Sequence, residues 1–292
     1  MALNMQTFRT RALTSLVFVL VMFAGLLWSY WSFFILFSII HFGCWMEYHY
    51  LMGRIDKEYG QITPFHKYGV MIAGGCLLLY FTSDAFSVFG LKLPAIGLWL
   101  GLIAAFVLPI IELLFARQVE LKNIGYSALG LLYISLSLGL MMDLRCYGIK
   151  LNPDGTYSDA LAFALPLILV IALWINDTMA YLVGSFIGKT PLTRISPKKT
   201  WEGTLGGVIL CIGIMIAAGY ITSLFRTQDW AIIGFIVAVT ATAGDLLESK
   251  LKRMAGVKDS GSLMPGHGGF LDRFDSLLIA TPFVWAYVNL FM

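Results

Sequence analysis

The chain has 292 residues, of which 59% are hydrophobic and only 13% charged, with a formal net charge of +3 and a mean hydropathy of +0.80. That balance places it among multi-span helical membrane proteins and excludes a soluble globular domain. The cations lie in short segments rather than on an extended basic face, which argues against nucleic acid as a partner. The four cysteines (Cys44, Cys76, Cys146, Cys211) lack metal-ligand spacing and three fall inside apolar runs, so core filling is their expected role.

Apolar runs predict an all-α, polytopic fold of about nine transmembrane helices, near 11–28, 31–47, 68–89, 95–115, 124–142, 160–187, 204–224, 229–248 and 276–291. The start is the delicate part, because 11–47 is almost continuously apolar. It exceeds what one helix needs to cross a hydrocarbon core of about 30 Å at 1.5 Å per residue. The aromatic cluster Trp28-Ser29-Tyr30-Trp31 marks an interface where a hairpin turns. The apolar run after the basic N-terminus is too long for a signal peptide, so it is expected to remain as an anchor.

Charge placement decides between one helix and two. With nine spans and a cytoplasmic N-terminus, 16 of the 20 Lys and Arg residues lie inside and only Lys92, Arg145, Lys150 and Arg226 outside. Fusing the first two spans leaves 6 inside and 14 outside, against the positive-inside rule. The segment 48–67, which mixes both charges, reads most simply as a solvated connection. The turn-rich segment around Asn152-Pro153-Asp154-Gly155 is the natural boundary between an N-terminal set of helices (1–155) and a C-terminal region (156–292). The second region holds nearly all the suggestive chemistry, in cytoplasmic loops 188–203 and 249–275.

Asn176-Asp177 sits well inside the sixth apolar run. An aspartate at mid-membrane costs about 2.5–3.5 kcal/mol, so it must face protein, water or a ligand. Pro166, Gly184 and Gly188 offer places to bend or interrupt that helix. In the next loop, Ser196-Pro197 suits an N-cap and first helical position, which predicts Lys198 and Lys199 in a first turn. Cations there oppose the helix dipole unless a polyanion binds; the other reading is a loop of solvated lysines.

Asp245, Glu248, Ser249 and Lys252 recur at i, i+3, i+4 and i+7 and share one helix face; Asp272 and Asp275, spaced i, i+3, share another. Between them, residues 249–275 gather five cations, three aspartates, His267 and five glycines. Cations suit phosphate, paired carboxylates suit a hard cation such as Mg²⁺, and glycines admit close backbone approach to a polyphosphate. Ordinary salt bridges of Lys252 and Arg273 with these acids are the alternative. His267 fits a base, a phosphate donor or a loop hydrogen bond.

The stretch 249–275 resembles the signature of the bacterial-type phosphatidate cytidylyltransferases (CDP-diacylglycerol synthases). The likeness runs through Ser249, Lys252-Arg253, Lys258-Asp259, Gly261, Pro265, His267-Gly268-Gly269 and Asp272-Arg273-Phe274-Asp275, with Met264 at a position where another apolar residue is usual. Asn176-Asp177, Ala180-Tyr181, Gly184, Ser196-Pro197-Lys198-Lys199-Thr200-Trp201-Glu202-Gly203 and Gly244-Asp245-Leu246 are similar to the same family. The resemblance covers about 176–275; the first 155 residues match only in hydropathy. It implies an inner-membrane enzyme with a cytoplasmic active site, acting on CTP and phosphatidate to give CDP-diacylglycerol and pyrophosphate, and a homodimer. It further implies Mg²⁺ on Asp245, Asp272 and Asp275, with room for a second cation, and catalytic roles for those three with Lys252, Arg273 and His267. Asn176, Asp177, Ser196, Lys198, Lys199, Thr200, Glu202, Arg253, Lys258 and Asp259 are the implied substrate-binding residues. A CTP-dependent polyisoprenol kinase and a membrane transporter are the two other readings of the residues.

Overall fold

A computed structural model of the chain describes residues 5–115, 120–152, 157–158, 161–262 and 268–292. Among these residues the fold is all-α: α1 (Met5–Leu27), α2 (Tyr30–Ile55), α3 (Pro64–Tyr80), α4 (Leu93–Phe115), α5 (Leu121–Cys146), α6 (Ala164–Ile187), α7 (Trp201–Thr222), α8 (Thr227–Met254) and α9 (Leu271–Phe291). Each corresponds in order to one expected apolar run. Helices α4 to α9 are long and apolar enough to cross a membrane. Strands are confined to two antiparallel pairs, β1 (Ser87–Val88) with β2 (Leu91–Lys92) and β3 (Lys150–Leu151) with β4 (Tyr157–Ser158).

The first apolar stretch is two helices. Ser29 breaks it as the N-cap of α2, its Oγ accepting from Ser32 N (3.1 Å) while Ser32 Oγ accepts from Ser29 N (3.0 Å), a reciprocal capping box. Helix α2 then runs past the expected end at 47 to Ile55, because Tyr48, Leu51 and Met52 are buried in the core. Helix α3 starts at Pro64 behind the N-cap Thr63, whose Oγ1 accepts from His66 N (3.0 Å). It stops at Tyr80, well before the expected 89. The chain turns there through β1 and β2, with Phe89 and Gly90 both at positive φ, as a two-residue hairpin turn demands.

The chain forms two compact units. One comprises Met1–Ala164 together with Met254–Arg273; the other comprises Leu165–Arg253 with Phe274–Met292. This division differs from a single cut near 155: the segment 254–273 packs with the N-terminal helices, and the boundary falls inside the first turn of α9.

Inside the first unit, apolar packing is threaded by hydrogen-bonded polar side chains. Phe33 and Phe37 stack at 4.3 Å, and Trp45 and Tyr48 meet edge to face. A π-helical turn at Leu131–Leu136 interrupts the regular ladder of α5 and presents Ser135. Its hydroxyl meets His41 Nε2 (2.9 Å) and accepts from Trp45 Nε1 (2.8 Å). The segment 48–67 is more than a solvated connection. Tyr59 is buried and stacked on His49, its hydroxyl 3.0 Å from His49 Nδ1 and 3.3 Å from Ser127 Oγ. Ser127 continues to His66 Nε2 (2.8 Å), and His66 Nδ1 to Glu112 (3.0 Å). Next to this chain, Lys122 pairs with Asp56 and holds its carboxyl below the usual carboxylate range.

In the second unit small residues set the packing. Gly203 and Gly207 of α7 lie against Ala180 and Gly184 of α6; a Cβ on Gly203 would stand 2.8 Å from Ala180 O, and one on Gly207 2.8 Å from Ala180 Cβ. Two backbones approach this closely only where side chains are absent or minimal. Helix α6 is continuous: neither Pro166 in its first turn nor Gly184 breaks it, and Gly188 closes it by donating to Gly184 O (3.0 Å). At the other end of the unit, Arg226 donates to both oxygens of Asp229 (2.9 and 3.0 Å) and to Phe291 O (3.0 Å), while Tyr287 donates to Asp229 Oδ1 (2.7 Å).

Removing the Ser135 hydroxyl would strand His41 Nε2 and Trp45 Nε1 in the core. Ser135→Ala is expected to cost about 1–3 kcal/mol, read as a lowered thermal midpoint in detergent.

Candidate active site

The loop after α6 is built around its acids and hydroxyls. Ser196, Pro197, Lys198 and Lys199 form a turn closed by Lys199 N donating to Ser196 O (3.1 Å). The helix starts later than Ser196-Pro197 suggests: Thr200 is the N-cap of α7, accepting from Gly203 N (3.1 Å). Threonine wins the cap because its extended backbone continues a bridge to Pro191, with Trp201 N donating to Thr190 O (2.9 Å). Glu202 in the first turn accepts from Lys189 N (3.2 Å), Thr190 N (3.1 Å) and Thr190 Oγ1 (2.8 Å). Its carboxylate therefore organises the loop. Lys198 is exposed, and the dipole conflict expected of two first-turn lysines does not arise.

Lys199 points elsewhere. Its Nζ pairs with Asp245 of α8, and Asp177, Asp245 and Asp275 share its electrostatic neighbourhood within the second unit. Gly244 brings α8 against α9, since a Cβ there would meet Asp275 O at 2.7 Å and Ser276 Cα at 2.9 Å. Asp275 is buried and accepts from Ser276 N (2.6 Å). Asp177 is exposed, whereas its neighbour Asn176 is 3% exposed with its Oδ1 lacking a hydrogen-bond partner among the described residues. Three carboxylates and one ammonium thus lie within electrostatic reach of one another, with a buried amide next to Asp177 in the chain. Like charges this concentrated call for a cation or a polyanion held through one.

On the same face of α8, Glu248 is buried and pairs with Lys252 at 2.5 Å, one turn on. For Lys252 the alternative reading, an ordinary i, i+4 salt bridge within its own helix, is the one present. Arg253, Lys258, Asp259 and Arg273 are exposed. His267 lies outside the described residues.

Asp272 belongs to the first unit and has a different environment. Its Oδ2 accepts from Ser260 N (2.8 Å) and Gly269 N (2.8 Å) and lies 2.9 Å from Ser260 Oγ. Beside it stands Glu47 of α2, a residue that the sequence reading passed over. Glu47 Oε1 accepts from Phe270 N (2.8 Å); Oε2 accepts from Leu271 N (2.9 Å) and is 2.6 Å from Ser260 Oγ. The signal for it in the sequence is weak: an acid at the end of an apolar run lies near the interface, where insertion costs far less than at the mid-membrane position that singled out Asp177.

This geometry meets its relatives over nearly the whole chain. A model of the family described as "Cytidylyltransferase family" matches residues 9–291. The chain belongs to that family. Membership therefore includes the N-terminal helices, where hydropathy alone had matched. Similar proteins include "Phosphatidate cytidylyltransferase 4, chloroplastic" of Arabidopsis thaliana, 35% identical over 233 residues, covering 72% of this chain and 58% of that protein. A phosphatidate cytidylyltransferase of Synechocystis is 42% identical over 142 residues, 48% of this chain and 46% of that one. One of Helicobacter pylori is 44% identical over 126 residues, 42% of this chain and 46% of its own. The matches span about half the length of these relatives.

If Glu202 organises the loop, Glu202→Ala should speed tryptic cleavage after Lys189 several-fold in the native protein, with cleavage elsewhere unchanged, as expected of local opening.

Proposed function

We propose that this protein transfers the cytidylyl group of CTP to phosphatidate, giving CDP-diacylglycerol and pyrophosphate. The observation that carries the proposal is the Lys199, Asp177, Asp245 and Asp275 cluster in a member of the cytidylyltransferase family whose relatives bear the name phosphatidate cytidylyltransferase. A phosphate oxygen of the lipid attacks the α-phosphorus of CTP. The bond from that phosphorus to the bridging oxygen of the β-phosphate breaks, and pyrophosphate leaves. The nucleophile is already an anion near neutral pH, since a phosphomonoester loses its second proton near pH 6. No general base is required, and the protein's share is positioning and charge neutralisation.

The donor set fits Mg²⁺. Asp245 and Asp275, within electrostatic reach of each other in the second unit, are hard oxygen ligands. Among the described residues no group of three His, Cys, Asp or Glu side chains forms a complete cage. Mg²⁺ commonly takes only one or two carboxylates and completes its shell with water and substrate phosphates. Bound there, it would neutralise charge on the triphosphate; a second cation has the same carboxylates to draw on. Lys199 bridges from Asp245 towards phosphate, and Lys198, Arg253, Lys258 and Arg273 supply exposed cations for the two anionic substrates. Asn176 and Asp177 face the head group, with the free Asn176 Oδ1 as an acceptor for a hydroxyl or an amine.

In this reading nine helices span the inner membrane of a cell, the N-terminus and the loops 188–203 and 249–275 face the cytoplasm, and the protein is a homodimer. Residues 156–292 carry most of the reacting groups, with 1–155 as scaffold or lipid entrance.

Purified protein in detergent, given CTP, Mg²⁺ and phosphatidate, should release pyrophosphate and CDP-diacylglycerol in equal amounts and neither when any one is omitted. CDP formed with an added polyisoprenol would replace the proposal with a kinase, and flux across vesicles without CTP turnover would replace it with a transporter. Lys199→Ala should lower kcat/KM for CTP about 100-fold, the scale seen when one preorganised electrostatic partner is removed. An unchanged value would return Lys199 to a structural ion pair with Asp245.

A further inference from the structure

Glycines, two acids and one serine build the turn that leads into α9. At the start of any helix the first N–H groups lack partners within it. In α9 and the residue before it, Phe270 N and Leu271 N donate to the two oxygens of Glu47, at 2.8 and 2.9 Å. Gly269 N and Ser260 N donate to Asp272 Oδ2, each at 2.8 Å. Ser260 Oγ lies between the carboxylates, 2.6 Å from Glu47 Oε2 and 2.9 Å from Asp272 Oδ2, so its proton serves one of them at a time. Both acids also stand at the positive end of the α9 dipole.

The glycines are shaped around this acid. A Cβ on Gly261 or on Gly269 would run into the Glu47 carboxylate, and one on Gly268, which has φ of 82°, into Asp272 Oδ2. The same pattern of small residues that resembled a phosphate cradle therefore accommodates a carboxylate of the chain itself. Arg54, two turns further along α2, donates to Ala255 O (3.0 Å), giving α2 a second hold on the same segment.

We infer that Glu47 is a positioning residue for the reaction: it fixes Ser260 and the residues 269–271 that open α9, and through them the orientation of Asp272 and Arg273. The inference rests on the proposed cytidylyl transfer for its kinetic consequence, whereas its structural half stands on the hydrogen bonds alone. Glu47→Gln is the direct test, because it keeps the shape but sets an amide N–H₂ against N–H or O–H donors. Gly269→Ala displaces the same carboxylate from the other side.

Hydrogen exchange of the purified full-length protein should show amides at 257–262 and 268–272 exchanging at least ~10-fold faster in Glu47→Gln, with α3 and α5 unaffected. In the same preparation kcat for pyrophosphate release should fall about 100-fold, the scale of a displacement near 1 Å, while the KM for CTP changes little. Gly269→Ala should reproduce both effects, and the double variant should be no worse than either single one, because the two share one contact. Wild-type exchange in Glu47→Gln overturns the inference. So does a loosened loop with full turnover, which would reduce Glu47 to a helix cap. A wild-type protein without turnover defeats the cytidylyltransferase reading instead, and the exchange rates then decide whether Glu47 orders the segment.

Discussion

The carboxylate of Glu47 meets the amides of Phe270 and Leu271 across more than two hundred residues of chain, and the start of α9 is built on that contact. The apolar character of α2 makes this contact strong. A half-buried carboxylate needs hydrogen-bond donors, and the opening N–H groups of α9 need acceptors. Each solves the other's problem. Asp272 does the same for Ser260 and Gly269 from within the segment, so that two acids and a set of backbone donors form one closed arrangement.

The same constraint recurs at several polar groups in the apolar interior. Ser135 serves His41 and Trp45, Ser127 joins Tyr59 to His66, and Asp229 takes both Arg226 and Tyr287. Among the described residues of the second unit, Asp177, Asp245 and Asp275 share one lysine, and this imbalance of charge is what the proposed site rests on.

Much of this was legible in the residues. Apolar run lengths and positive-inside bias separated α1 from α2, and Ser29 supplies the cap that the aromatic cluster only suggested. The i, i+3, i+4 spacing correctly placed Glu248 and Lys252 on one face, as their ion pair shows. Helix starts were less legible. Ser196-Pro197 has good capping chemistry, yet Thr200 holds the position because Pro191 and Thr200 bridge and Glu202 gathers the preceding amides, both long-range effects. The break expected in α6 is absent because Gly184 and Ala180 are used for close packing against α7 rather than for flexibility. Glu47 escaped notice for a related reason: its partners lie at the far end of the chain, and nothing in the local pattern of α2 names them.

That separation in sequence has a temporal side. Glu47 leaves the ribosome 223 residues before Phe270, an interval on the order of tens of seconds at ordinary elongation rates. Through that time the first five helices are complete as a chain but not as a folded unit, because one piece of their unit, Met254–Arg273, has not been made. The acid has to remain accessible to water or to a provisional partner until the eighth helix has passed. The N-terminal helices, although synthesised first, therefore cannot complete their unit as they emerge; the piece from Met254 to Arg273 has to follow.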